Sequence, residues 1–376
     1  MHSFFCAGLI SVVWVLVGYS FAFEPGENSL FGGFDYVGLS EVLGSQSEAA
    51  PTIPHALFVA FQGTFAIITL ALISGAFAER MRFQALVIFI FFWSILIYAP
   101  LVHWVWGGGW IATKIGALDF AGGTVMHIAS DIAALITAEY LGKRIDYGHG
   151  PMPPHNLPLT VTGAGLLWVG WFGFNAGSAF GANEVAALAL LNTNTVGAAG
   201  ALAWLLVEQQ HSGKPTVLSV ASSAVAGLVC ITPAAGFLTP LASILIGLAG
   251  GALCYTAVSC KSRFGFDDAL DVVGIHLIGG ILGALATSVF ATASVNPAVS
   301  DLALGPDGGL LYGHPVLVWQ QFLAVIATIV FSGVGTLLIL VGVNTVIGVS
   351  VDEDQEISGL DLSQHRERAY SISQAP

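Results

Sequence analysis

Residues 4–23 read FFCAGLISVVWVLVGYSFAF, twenty positions without a charge. At about 1.5 Å per residue, a helix of that length crosses the hydrocarbon core of a bilayer. No Lys or Arg precedes it. It therefore lacks the basic start of a secretory leader and reads as a retained transmembrane helix. The rest of the chain is of the same kind. Of 376 residues, 55% are hydrophobic and 9% charged, against about 25% charged in a soluble domain. The solvent for most of this chain is lipid.

Apolar runs of about twenty residues lie near 3–23, 56–78, 84–105, 119–141, 157–177, 185–207, 217–236, 241–259, 271–292 and 316–347. Lipid offers no partner to an open backbone, so each run is expected as a helix. The alternation in roughly ten-residue segments that marks a membrane β-barrel is missing. The expected fold is an all-α polytopic membrane protein of about ten spans. One membrane domain covers 1–347, and a polar tail covers 348–376. The 46 glycines suit close helix–helix approach.

Charge orients the chain. Arg80, Arg82, Lys143, Arg144, Lys214, Lys261, Arg263, Arg366 and Arg368 fall on one side of the expected membrane, and only Lys114 on the other. The 24–54 loop carries Glu24, Glu27, Asp35, Glu41 and Glu48 with no basic residue. The positive-inside rule then places the tail in the cytoplasm and the acidic loop outside, in a plasma or bacterial inner membrane. A net charge of −13 with ten Lys plus Arg argues against nucleic-acid binding. Cys6, Cys230, Cys254 and Cys260 show neither metal nor disulfide-framework spacing and read as core thiols.

Two histidines stand out. His127 lies in AGGTVMHIAS (121–130) and His276 in DVVGIHLIGG (271–280). A lone His in an apolar helix is most simply an interhelical hydrogen-bonder. As a pair they read differently. HIASDIAALI and HLIGGILGAL share His, an aliphatic, small residues and Ile at matching offsets, and each has an upstream aspartate, Asp119 or Asp271. That is weak internal symmetry of the kind that transporter halves show around a midplane site. Intramembrane ionisable groups are functional-site hypotheses by default. An imidazole with one donor and one acceptor suits a proton relay or a path for a small polar molecule.

Aromatic residues form a second group: Phe61 and Phe65; Trp104, Trp106 and Trp110; Trp171, Phe172 and Phe174. They fit an interfacial belt or a cage for a cation, worth about 2 kcal/mol or more when desolvated. Composition does not decide between the two.

Seven stretches carry a family resemblance: FQGTFAIITLALISGAFAER (61–80), HWVWGGGW (103–110), LDFAGGTVMHI (118–128), HNLPLTVTGAGLLWVGWFGFNAGS (155–178), ANEVAALALLNTNT (182–195), DDALDVVGIHLIGG (267–280) and GLDLSQHRERAY (359–370). In this order, and over essentially the whole chain, they resemble the ammonium transporter/methylammonium permease/Rhesus family, most of all its bacterial ammonium transporters.

The resemblance implies a fold of inverted pseudo-two-fold helical repeats. It also implies an external recruitment site of Phe65, Trp106 and Ser178, with Phe61 beside it, and a gate of stacked Phe65 and Phe174 flanked by Trp171. His127 and His276 match twin histidines lining a hydrophobic pore. Asp119 matches a vestibule aspartate that is structural and electrostatic, and Asp271 is its counterpart in the second half. The implied function is ammonium transport, with methylammonium as an analogue and a place in nitrogen metabolism. A homotrimer and a PII-type signal protein at the cytoplasmic face are the implied partners, and no metal or cofactor is expected.

The chain departs from the pattern in three places. The family has eleven spans, so one family helix would precede Met1. Asp131, four residues after His127, stands where a small apolar residue is usual and shares a face with that His. The tail reads HRERAY where HGERAY is commoner. Two other readings remain at this point: a channel for another small polar solute, and an ammonium sensor working through a cytoplasmic partner. An enzyme fits least, because the HxxxH and HxxHH clusters of membrane oxidases are missing.

Overall fold

A computed structural model describes residues 2–26, 28–150, 152–305 and 307–368; the last eight residues of the expected tail lie outside them. Among the described residues the fold is helical, with three isolated β-bridges and no strand. Ten helices correspond to the ten expected spans: α1 (His2–Phe23), α2 (His55–Ile73), α3 (Phe83–Val105), α4 (123–141), α5 (Leu157–Gly177), α6 (Glu184–Ser212), α7 (Val217–Ile231), α8 (Pro240–Phe264), α9 (Val273–Phe290) and α10 (Val316–Ile347). Eight of them are long and apolar enough to cross a membrane. Of the other two, α7 is 15 residues long, and α4 carries His127, Asp131 and Glu139, which make it less apolar than the rest; 119–122 form its cap rather than its first turn. With α10 unbroken over 32 residues, or about 48 Å at 1.5 Å each, it must tilt or reach beyond a core of about 30 Å.

Local chemistry sets the helix ends. Asn183, Thr216 and Thr239 each accept a backbone N–H in the first turn of α6, α7 and α8. Pro100 inside α3 has no N–H and crowds the preceding turn. The helix absorbs it through a π-helical turn at Ser94–Tyr98. α6, α7 and α8 meet through small residues. A Cβ on Gly251 would stand 2.3 Å from the Gly200 carbonyl oxygen, and one on Gly227 2.5 Å from that of Val196. Backbones this close exclude any side chain, which is how helices gain contact where lipid supplies no hydrophobic drive.

α4 and α9 cross in the middle of the bundle, and a Cβ on Gly280 would lie 3.0 Å from the Cβ of His127. Four spans lie between the two helices, so they run in opposite directions, as an inverted repeat requires. α5 differs from the rest. Leu166 and Val169 are 70% and 66% exposed, and the helix buries little of its surface within the chain.

On the face that bears the tail, buried Asp267 ties the connections together. Its Oδ1 accepts from Arg144 Nη2 at 2.8 Å, and its Oδ2 accepts from Arg144 Nε and from the Arg144 amide at 2.9 Å. Arg80 Nη1 lies 3.5 Å from the same Oδ2. The tail joins this cluster through Glu356 Oε1, which accepts from the Ile145 amide at 2.9 Å, and through Asp352, 3.2 Å from Arg82. Burial alone would push the Asp267 carboxyl up, but Arg144 and then Arg80 outweigh it and hold it below its usual range. That contribution is complete above about pH 4 and is lost as pH falls through the lowered folded value. Breaking one partner of such a buried pair costs about 3–5 kcal/mol. We expect Asp267→Asn to lower the melting temperature in detergent clearly at pH 7 and much less near pH 3, as read by scanning fluorimetry.

Candidate functional site

A vestibule of about 580 Å³ opens on the face bearing the 24–54 loop, lined among others by Phe58, Gln62, Phe65, Trp106, Asp119 and Ser178. The Trp106 indole N–H donates to the Asp119 carbonyl at 2.8 Å, which fixes the ring plane. Phe65 meets Trp106 edge-on, at 5.5 Å and 86°. Ser178 Oγ sits at the end of α5 and donates to the Phe174 carbonyl at 3.0 Å, leaving its lone pairs toward the cavity. The floor is the Phe65–Phe174 pair, stacked at 3.8 Å and 25°.

Beyond the floor, Trp171 stacks on His127 at 5.6 Å and 18°, and its N–H donates to Thr232 Oγ1 at 2.9 Å. His276 Nδ1 lies 3.1 Å from His127 Nδ1, so one of the two nitrogens carries a proton and the other accepts it. His127 is fully buried, and its Nε2 has no protein partner.

The two histidines share a backbone device. Each sits in a π-helical turn, Gly123–Ile128 and Val273–Leu277. The His127 amide bonds to the Gly122 carbonyl five residues back, and the Ile278 amide to that of Val273. Such turns are rare and cluster at functional positions. Asp119 builds the first of them. Its Oδ1 accepts from the Gly122 and Gly123 amides at 2.7 Å, and its Oδ2 from the Thr124 amide at 2.7 Å and from the Thr124 hydroxyl. The chain can turn this tightly because Gly122 takes φ +111°, a conformation L side chains rarely adopt.

The structure brings Phe65, Trp106, Ser178 and Asp119 to the vestibule, Phe65, Phe174 and Trp171 to its floor, and His127 and His276 into direct contact below it. Two sequence-derived positions fall elsewhere. Phe61 packs behind Phe65 at 5.1 Å and does not line the cavity. Asp271 pairs with Lys261 near the surface; the carboxylate that accepts from the start of α9 is Asp268, at 2.8 Å from the Val273 amide. Asp268 precedes His276 by eight residues, as Asp119 precedes His127. The internal repeat is therefore real, but its acid is one helical turn upstream of the one the sequence suggested. Trp104 and Trp110 pack on each other at 5.3 Å, away from the vestibule.

Gln62 is a lining residue that the sequence reading missed. It is buried, and its Oε1 has no protein partner. Its place three residues before Phe65, on one helix face, was the available signal. Among the described residues, no group of three or more His, Cys, Asp or Glu gathers as a metal would need.

The geometry is that of a multi-pass membrane protein with a mainly apolar, aromatic-lined vestibule, an aromatic floor and a buried histidine pair. A family model described as Ammonium Transporter Family matches residues 1–370, and the chain belongs to that family. It is 51% identical over 374 residues to an ammonium transporter of Bacillus subtilis (strain 168), covering 99% of this chain and 90% of that one. It is 47% identical to an ammonium transporter of Aquifex aeolicus, covering 98% and 84%. Among solved structures, Saccharomyces cerevisiae Mep2 superposes with a TM-score of 0.87 at 34% identity, over 94% of this chain and 79% of that one. A structure titled Sensor Amt Protein gives 0.85 at 27%, over 96% and 88%.

Because Asp119 feeds four donors at the start of α4, Asp119→Ala should leave three amides and a hydroxyl without their acceptor. At about 1–3 kcal/mol for each buried group that stays unmet, we expect a large loss of thermal stability. Asp119→Asn, which keeps one acceptor oxygen, should lose less than half as much in the same melting assay.

Proposed function

We propose that this protein is an ammonium transporter that takes up ammonium at the vestibule and passes it on as ammonia. The observation that carries the reading is the His127–His276 contact, buried directly beyond a closed aromatic floor. Ammonium meets a Trp106 face and a Ser178 hydroxyl, which suit a species that is both a cation and a hydrogen-bond donor. An ion carried whole past the Phe65–Phe174 floor would lose its hydration at a cost of several kcal/mol, while neutral ammonia loses far less. Deprotonation at the floor and passage of ammonia along the two imidazoles avoids that cost. The positive-inside distribution puts the vestibule outside and the tail in the cytoplasm of a cell membrane.

The exposed, apolar α5 fits a homotrimer in which it faces neighbouring subunits. Membrane domain and tail would act together, the tail offering a docking surface to a PII-type protein. The likeness to a solved sensor favours a second reading, in which the same site reports ammonium through the tail. Transport that survives deletion of 352–376, with loss of partner binding, would assign signalling to that segment.

If the cation–π contact is worth about 2 kcal/mol, Trp106→Leu should raise the methylammonium concentration for half-maximal uptake about 30-fold. Uptake of labelled methylammonium into cells checks this. Unchanged uptake would remove the recruitment site and favour a channel for another small polar solute.

A further inference from the structure

Asp131 is fully buried on α4, one helical turn beyond His127 toward the tail face. Its two oxygens are served unequally. Oδ1 has no protein partner, and Oδ2 lies 2.6 Å from Ser130 Oγ. Ser130 Oγ is also 2.7 Å from the Met126 carbonyl. A hydroxyl has one hydrogen to give. The Met126 and His127 carbonyls can only accept, the latter at 3.3 Å, so with an ionised Asp131 three acceptors compete for that hydrogen. A proton on Asp131 Oδ2, donated to Ser130 Oγ, resolves the competition, and Oδ1 is unmet in either state.

Asp268 has the matching arrangement. It is 1% exposed, gives Oδ2 to the Val273 amide and has no protein partner on Oδ1. It lies within electrostatic reach of Asp131. The charged groups around the two are already committed. Lys261 Nζ is held by Asp271 and by the Asp268 carbonyl, while Arg80 and Arg144 are held by Asp267. Toward the vestibule stand the titratable rings of His127 and, in contact with it, His276. Two buried carboxyls without a cation of their own do not both ionise. Burial pushes Asp268 up to about 6 in spite of the Val273 amide.

We propose that Asp131 and Asp268 form a proton-carrying carboxyl pair on the tail side of the two histidines, which returns to ammonia the proton that ammonium leaves at the gate. This rests on the ammonia-pore reading above. Ammonia leaving the histidines takes the proton from the pair: one carboxyl O–H bond breaks, a fourth N–H bond forms, and ammonium departs toward the tail face. The carboxylate left behind is reprotonated by an imidazolium of the His127–His276 pair, whose proton came from the ammonium at the floor. One ammonium enters and one leaves, so a unit of charge moves with each substrate. A neutral Asp131 with only a local structural role would leave Oδ1 unmet at about 1–3 kcal/mol for no return; the pair gives that oxygen a task.

The test uses the full chain reconstituted in liposomes. Infrared spectra should show a buried carboxylic-acid C=O band at neutral pH that is missing in Asp131→Asn. Ammonium-evoked charge movement on a supported membrane should fall about tenfold in Asp131→Asn and recover in part in Asp131→Glu. If Asp131→Asn does not fold, Asp268→Asn is read by charge movement, with the same expected tenfold loss. A wild-type protein without the band, or a variant with wild-type current, overturns the pair. His127→Asn separates the two levels: loss of current there with wild-type current in Asp131→Asn sinks the carboxyl pair alone, whereas wild-type current in His127→Asn sinks the pore reading and the pair with it.

Discussion

The rest of this structure depends on one constraint: inside the bundle a polar group must find its partner in the protein, because lipid offers none. Backbone groups meet it by forming helices, and side chains meet it by bonding to the helices around them. Trp93 donates to Thr336, Gln321 to the Leu118 carbonyl, Ser332 to the Ala129 carbonyl, and Asn192 to those of Ala235 and Leu238. The Trp93 and Ser332 bonds fix one helix against another at one height, and those of Gln321 and Asn192 tie α10 and α6 to connecting segments. Packing of small residues then closes the distance, as at Gly200 and Gly251.

Against that background, several buried polar atoms are left without a protein partner, and four of them belong to the site: Gln62 Oε1 in the vestibule, His127 Nε2 beyond the floor, and Asp131 Oδ1 and Asp268 Oδ1 further on. Taken in this order they run from the vestibule toward the tail face. A path for a small hydrogen-bonding molecule needs such atoms at intervals and hydrophobic walls between them, since a continuous polar lining would admit hydrated ions.

Much of this was legible in the sequence. Each expected span begins or ends within a few residues of a helix, because twenty uncharged residues in lipid have one economical conformation. The vestibule and floor residues were legible only through the family resemblance, since Phe65 and Phe174 lie on different helices and periodicity cannot bring them together. The sequence pairs Asp271 with Asp119 only as the acid upstream of each histidine, and Asp268 goes unnoticed there. Distance from the histidine decides instead: the capping acid must reach amides at the start of a π-helical turn, and that turn does not register in a 3.6-residue pattern. Phe61 was grouped with Phe65 by proximity in the chain, yet four residues of helix put it behind rather than beside the cavity.

The π-helical turns at Gly123–Ile128 and Val273–Leu277 have a consequence for sequence length. A π turn holds one residue more than the α turn it replaces. Removing a single residue there would restore ordinary winding and leave the helix beyond it nearly as it was, because the shorter α turn covers almost the same rotation. On α4 the loss would fall on the turn itself, which holds His127 and the amides that Asp119 accepts. The spacing between Asp119 and His127 is therefore held as firmly as the identity of either residue. For this stretch of the protein, length is a constraint of its own beside side-chain chemistry.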